Sequence, residues 1–135
     1  MKITWSMTKE QWQNFLSDHK SRETNTPLSE TGEIGDIYGS VTVGKLSIEL
    51  LHTLDPEDWY AFTNVYCLDR DTGYGCTEDN RPYDYLDDID IKIPFECKTF
   101  EDFKEEFLKN VLAEIEAAGL TAEAEAEDGW DTVAA

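Results

Sequence analysis

Three observations predict an α+β fold, with an antiparallel sheet of about four strands and a helix towards each end of the chain. Between residues 36 and 93 apolar side chains recur at every second position, the period of a strand with one buried face. Over 100–118 they recur every three or four positions, the period of an amphipathic helix. Over 9–19 a shorter helical pattern follows a capping signal. Short connections between the alternating segments imply a meander with one wet face, both helices covering the other.

Each element has its own justification. Ile3 and Trp5 suit a short strand or a staple onto the core. Thr8 and Gln11 match a capping box, and Trp12, Phe15, Leu16 and His19 follow at helical spacing. Residues 21–35 are polar, with Pro27, Gly32 and Gly35, and read as a loop. Residues 36–43 alternate up to a Gly44-Lys45 turn, after which Leu46, Ile48, Leu50, His52 and Leu54 share a face. Asp55-Pro56-Glu57-Asp58 makes a turn, because proline fixes φ and aspartate bonds the backbone ahead of it. Over 59–68 the chain is aromatic and β-branched, with Tyr60, Phe62, Tyr66 and Leu68 on one side.

In the last alternating segment Tyr85, Ile89, Ile91 and Ile93 oppose Asp84, Asp88, Asp90 and Lys92, with Leu86 and Asp87 out of step. Pro94 stops the sheet and Thr99 caps the helix over 100–118, whose Phe100, Phe103, Phe107, Val111 and Ile115 form one stripe. Burying its three rings contributes on the order of 2 kcal/mol each. Gly119 is a C′ stop. Residues 1–119 are read as a single α+β domain, and 120–135 as an acidic C-terminal tail or edge element whose Ala/Glu alternation suits a strand by period and a helix by propensity.

Charge is the unusual feature of the composition. There are 11 basic and 30 acidic residues, a net charge of −19. Residues 1–50 hold 5 basic and 7 acidic groups, net −2, whereas 51–135 hold 6 and 23, net −17. Such a field repels nucleic acid and anionic membranes and attracts cationic surfaces. The N-terminus has no apolar signal core, no run approaches a membrane span, and Cys67, Cys76 and Cys97 have no framework spacing. The expectation is a cytoplasmic protein with reduced thiols.

The acidity concentrates in Cys67–Pro94, where Asp69, Asp71, Glu78, Asp79, Asp84, Asp87, Asp88 and Asp90 face only Arg70, Arg81 and Lys92, with Tyr74, Tyr83 and Tyr85 interleaved. Carboxylates about 6 Å apart in water repel by roughly 0.7 kcal/mol per pair, so the crowding costs stability unless a cation or basic partner offsets it. Crowding also predicts raised carboxyl pKa values and stability that rises as pH falls from 7 towards about 5.

No motif for chemistry survives inspection. Gly39-Ser-Val-Thr-Val-Gly44-Lys45-Leu46 approaches a phosphate-binding loop, but Leu46 replaces the hydroxyl residue and a strand replaces the helix, so it reads as a hairpin. Asp69-x-Asp71-x-Gly73 opens like a calcium loop, yet Tyr74 and Asn80 fall where glycine and glutamate are needed. An irregular calcium site on Asp69, Asp71, Glu78 and Asp79 is the remaining metal alternative. The cysteines and His52 lack zinc spacing, and His52 reads as a core or rim histidine. The reading is therefore a non-enzyme with no cofactor and no metal.

In size, charge and lack of catalytic motifs the chain resembles the small acidic DNA-mimic inhibitors of phages and mobile elements, the anti-restriction and anti-CRISPR proteins among them. That resemblance implies stoichiometric binding to the basic nucleic-acid-binding cleft of a host nuclease complex, in the host cytosol, without direct contact to nucleic acid or membrane. Asp69, Asp71, Tyr74, Glu78, Asp79, Tyr83, Asp84, Tyr85, Asp87, Asp88 and Asp90 are the residues expected to meet the partner, since carboxylates occupy a groove built for phosphates and tyrosines add contact area. The alternative is a small interaction module or immunity-type protein whose acidity is incidental.

Overall fold

The computed structural model describes residues 1–23, 37–52 and 61–130. Of the loop expected over 21–35, residues 21–23 belong to a helix and 24–35 lie outside the described residues, as do the Asp55–Asp58 turn and residues 131–135. The fold is α+β, with one antiparallel sheet of six strands and three helices among the described residues. In chain order these are β1 (Ile3–Trp5), α1 (Lys9–Glu23), β2 (Ile37–Val43), β3 (Leu46–His52), β4 (Ala61–Leu68), β5 (Gly75–Cys76), β6 (Pro82–Tyr85), α2 (Phe100–Ala117) and α3 (Thr121–Ala124). The sheet order is β1-β2-β3-β4-β6-β5.

Six strands replace the expected four for two local reasons. Ile3–Trp5 pairs with Val41–Val43 as an extra edge. Within the acidic loop, Gly75–Cys76 and Pro82–Tyr85 pair as a tight hairpin. Its turn closes through the Thr77 N–H to the Arg81 carbonyl (2.9 Å), the Asn80 N–H to the Thr77 carbonyl (2.9 Å) and the Arg81 N–H to Thr77 Oγ1 (3.2 Å). Asn80 sits at φ 63°, a left-handed position that asparagine tolerates. Because β5 lies outside β6, the meander holds from β1 to β4 and then doubles back.

The helices end as their sequences dictate. Thr8 and Gln11 form the reciprocal capping box, Gln11 Oε1 accepting from the Thr8 N–H (2.7 Å) and Thr8 Oγ1 from the Gln11 N–H (3.1 Å). Helix α1 runs on to Glu23, past the expected end at 19. Thr99 Oγ1 accepts from the Asp102 N–H (3.1 Å) at the start of α2. At its end the Gly119 N–H reaches the Glu116 carbonyl and the Leu120 N–H the Ile115 carbonyl, a Schellman closure with Leu120 and Ile115 both in the core.

A single core joins both longer helices to one face of the sheet. Val41, Val43, Leu46, Ile48, Leu50, Val65 and Cys67 supply the sheet side; Phe103, Phe107, Val111 and Ile115 supply α2, with Trp12 and Phe15 from α1. Phe103 stacks on Phe107 (5.7 Å, 5°), Trp12 meets Phe100 and Phe103, and Trp5 meets Phe107 at 6.0 Å. The opposite face is not wholly wet. Leu51 and Leu68 are buried there, on the parity of Phe62 and Tyr66.

The strand expected over 84–93 stops at Tyr85. Tyr85 pairs with Tyr66 and so belongs to the outer face, whereas Ile91 is buried and Ile89 and Ile93 pack against the core on the other side. The Leu86-Asp87 pair that breaks the alternation is where the change occurs. Leu86 donates its N–H to the Val65 carbonyl (2.8 Å), and by Lys92 the chain has reached α2, whose Asn110 Nδ2 donates to the Lys92 carbonyl (2.9 Å).

His52 is fully buried and stacks on Phe15 (4.7 Å, 9°) beside the buried Tyr38–Asp18 hydrogen bond of 2.7 Å. Burial first, then the neighbouring His19, lowers its pKa to about 4, against the pull of Asp18. The unfolded chain therefore binds the extra proton between about 6.5 and 4. Stability held above pH 6.5 is lost as pH falls through that window, by on the order of 3 kcal/mol. Urea unfolding at a series of pH values should show this loss, opposing the gain expected from carboxylate crowding. His52→Gln, which cannot titrate, should flatten the slope whatever it costs at neutral pH; an equally steep slope in that variant would assign the loss elsewhere.

Candidate partner-binding site

The outer face of the sheet carries a cluster of tyrosines. Val65 and Cys67 point into the core, so Tyr66 between them points out. Register then stacks the face across strands: Tyr66 lies opposite Ser47 on β3 and Tyr85 on β6, Leu68 opposite Tyr83, and Tyr83 opposite Gly75. Tyr66 contacts Tyr85 at 5.4 Å, Tyr74 at 5.7 Å and Tyr83 at 5.8 Å between ring centroids; Tyr74 contacts Tyr83 at 5.5 Å and Tyr85 at 6.0 Å. The Tyr66–Tyr83 and Tyr74–Tyr83 pairs meet edge to face, at 85° and 62°. Such pairs contribute about 0.5–1.5 kcal/mol each beyond burial. Tyr74 is 54% exposed, the open end of the cluster.

Gly75 allows Tyr83 to lie where it does. A Cβ at Gly75 would stand 2.7 Å from the Tyr83 phenol oxygen and 2.8 Å from its ring carbon, so any side chain there displaces the ring.

The C-terminal segment completes the site from the far end of the sequence. Residues 121–124 form the helical turn α3 with Ala124 buried. The Lys45 N–H donates to the Glu123 carbonyl (2.9 Å), the Trp130 N–H to the Gly44 carbonyl (3.1 Å), and the Trp130 indole to the Lys45 carbonyl (2.6 Å). Gly44 has φ 58°, and a Cβ there would collide with the Glu123 and Ala124 carbonyls, so glycine serves both the turn and the docking. Docked in this way, Trp130 lies 5.4 Å from Tyr83.

Arg81 clamps the same corner. Its Nε and Nη2 donate to Asp69 (3.0 and 2.7 Å), and its Nη1 and Nη2 to Asp128 (3.0 and 3.1 Å). Lys45 Nζ adds a 3.1 Å ion pair to Asp69. The Arg81 and Lys45 hydrogen bonds outweigh desolvation and hold the Asp69 carboxyl down at about 2, and the two aspartates push the Arg81 guanidinium further up. Asp69 thus departs from the upward shift expected of a crowded carboxylate. It also sits at φ 65°, which aspartate tolerates.

Between the tyrosines, Trp130 and β3 lies a cleft of about 410 Å³, with Glu49 and Glu78, and neither lysine nor arginine, among the described residues that line it. Burial pushes the half-buried Glu49 carboxyl up, and a hydrogen bond with Tyr66 works in the opposite direction. The Tyr66 phenol is pushed above its usual value by burial and then by its hydrogen bond with Tyr74.

The residues singled out from sequence thus divide. Tyr74, Tyr83 and Tyr85 come together on one face, and Glu78 joins Tyr74 and Tyr83 in the cleft lining. Asp71, Glu78, Asp79, Asp87, Asp88 and Asp90 are exposed. Asp69 is held by Arg81 and Lys45, which also occupies the first ligand of the irregular calcium site. Asp84 takes the opposite parity to Tyr83 and Tyr85 and accepts from Thr72 Oγ1 (2.7 Å). Asp88 lies by Arg70 and the end of α2, around residues 118–120. Among the described residues no group of three or more His, Cys, Asp or Glu is set to hold a metal, and no helix is long and apolar enough to cross a membrane. Tyr66, Glu49 and Trp130 were missed from sequence. The parity of β4 signals Tyr66, but nothing local marks Trp130.

Compared with models of known protein families, with curated proteins and with solved structures, the chain matches none.

Arg81→Ala should lower unfolding stability by about 1–2 kcal/mol, two bidentate pairs discounted for their exposed partners. It should also release the Trp130 indole N–H to faster hydrogen exchange. An unchanged midpoint with unchanged exchange would show that the clamp does not hold the C-terminal segment.

Proposed function

We propose that this protein is a non-enzymatic inhibitor that occupies the basic nucleic-acid-binding cleft of a nuclease complex, offering carboxylates and tyrosines where DNA offers phosphates and bases. The observation that carries the reading is the cluster of four tyrosines on the outer sheet face with Glu49 and Glu78 in the adjoining cleft. Tyrosine anchors in a concave setting are a composition that binding hot spots favour, and their ring faces attract Arg and Lys. The exposed Asp71, Asp79, Asp87, Asp88 and Asp90 add field without contacts to a partner being needed at every one. In this reading Asp69, tied to Arg81 and Lys45, has a structural role as well. The cytosol is the compartment the proposal requires.

A second reading is favoured by one observation. Asp69 and Asp128 neutralise Arg81 within the chain, so part of the acidity holds the fold together, as in an interaction module whose remaining charge is incidental.

The two readings separate in a salt series. Association with a basic nuclease complex should weaken steeply as salt rises, and Asp87→Lys with Asp88→Lys should reduce it at least tenfold with the melting temperature preserved. Affinity flat across salt, and indifferent to the reversal, would sink the inhibitor reading and leave the interaction module.

A further inference from the structure

We propose that the outer-face cleft is a receptor for a single arginine side chain of the basic partner, the guanidinium lying among Tyr66, Tyr74 and Tyr83 and pairing with the Glu49 carboxylate. This rests on the reading above and makes it specific, since a surface of general negative charge has no reason to prefer one basic residue.

The geometry supports one committed occupant. At about 410 Å³ the cleft falls in the range of ligand pockets, about 300–1,000 Å³, and admits a side chain rather than a flat protein surface. Its charged groups are acidic: Glu49 and Glu78, beside the neutral Ser47 and Thr77, with no lysine or arginine among the described residues that line it. That excludes an anion and disfavours a neutral apolar guest, which would bury carboxylates without compensation. Its walls are aromatic, with Tyr83 set edge-on to both Tyr66 and Tyr74, so ring faces of differing orientation border one space. A guanidinium matches both features. It is planar and weakly hydrated, stacks on rings, and forks onto a carboxylate through two parallel hydrogen bonds. A lysine ammonium is a compact, strongly hydrated point charge that gains less from stacking.

Glu49 is suited to the task by position. It lies on β3 two residues along the same face from Ser47, which pairs with Tyr66, and it lines the cleft together with Tyr66. Burial pushes its carboxyl up and an arriving cation would draw it back down, so binding should weaken in mildly acidic solution, where protons compete with the guanidinium.

The test needs no partner protein. The full chain is titrated with N-acetyl-arginine methylamide while the aromatic resonances and the Trp130 indole N–H are followed by NMR, with the citrulline and lysine analogues in parallel. The expected result is saturable shifts confined to Tyr66, Tyr74, Tyr83 and Trp130. Binding should be at least tenfold weaker for the neutral citrulline analogue and several-fold weaker for lysine. Glu49→Gln should weaken the arginine probe at least fivefold. Tyr74→Ala should do likewise, whereas Tyr74→Phe should retain binding; since Tyr74 is largely exposed, its loss tests the cleft without threatening the fold. Equal binding of the citrulline or lysine analogue, shifts scattered over the surface, no saturable response, or indifference to Glu49→Gln would each overturn the proposal. Failure here with salt-dependent association intact removes the arginine receptor alone. Probe binding without any nuclease association removes the inhibitor reading and leaves the receptor.

Discussion

The tyrosines stand on the outer face because Ile48, Leu50, Val65 and Cys67 are committed to the inner one. Side chains alternate strictly along a strand, so burying one set against Phe103 and Phe107 forces the neighbouring set outward. A slip of one residue in β4 would bring Tyr66 into the core and Val65 and Cys67 to solvent, exchanging apolar burial for buried phenols. The helix stripe therefore sets the register of the face opposite to it. The ring cluster is a consequence of core packing at one remove.

Charge in this chain works in three ways, and composition conceals the difference. At one corner of the sheet Asp69, Arg81, Asp128 and Lys45 form a connected network that ties the acidic loop and the C-terminal segment together. There, acids are stabilising, and the Asp69 proton is held off. Elsewhere the exposed acids of 71–90 contribute field to the surroundings. Glu49 belongs to a third environment, half-buried among phenols with its carboxyl pushed up. The net charge of −19 averages over all three.

Much of the scaffold was legible because its determinants are local. The Thr8–Gln11 box, the Thr99 cap, the Gly119 stop, the Gly44-Lys45 hairpin and the Phe stripe each depend on residues within a few positions of one another, and each forms as its spacing implies. The last strand failed where locality failed. Tyr85 and the isoleucines after it share a period but not a face, because Leu86 and Asp87 turn the chain towards α2. The site was half legible. Tyr74, Tyr83 and Tyr85 stood out by their acidic setting, but Tyr66 comes from β4 and Glu49 from β3, and only the pairing of those strands makes them neighbours.

By itself the sequence determined where the two longer helices start, which segments alternate, and how much negative charge the folded chain carries, since period, capping chemistry and titratable groups are properties of short stretches. The tertiary structure alone decided which acids are neutralised by Arg81, that Trp130 arrives beside Tyr83, and that rings from β4, the acidic loop and β6 border one cleft with a carboxylate from β3. Those outcomes join residues far apart in the chain, and only packing of the whole core brings them within contact distance.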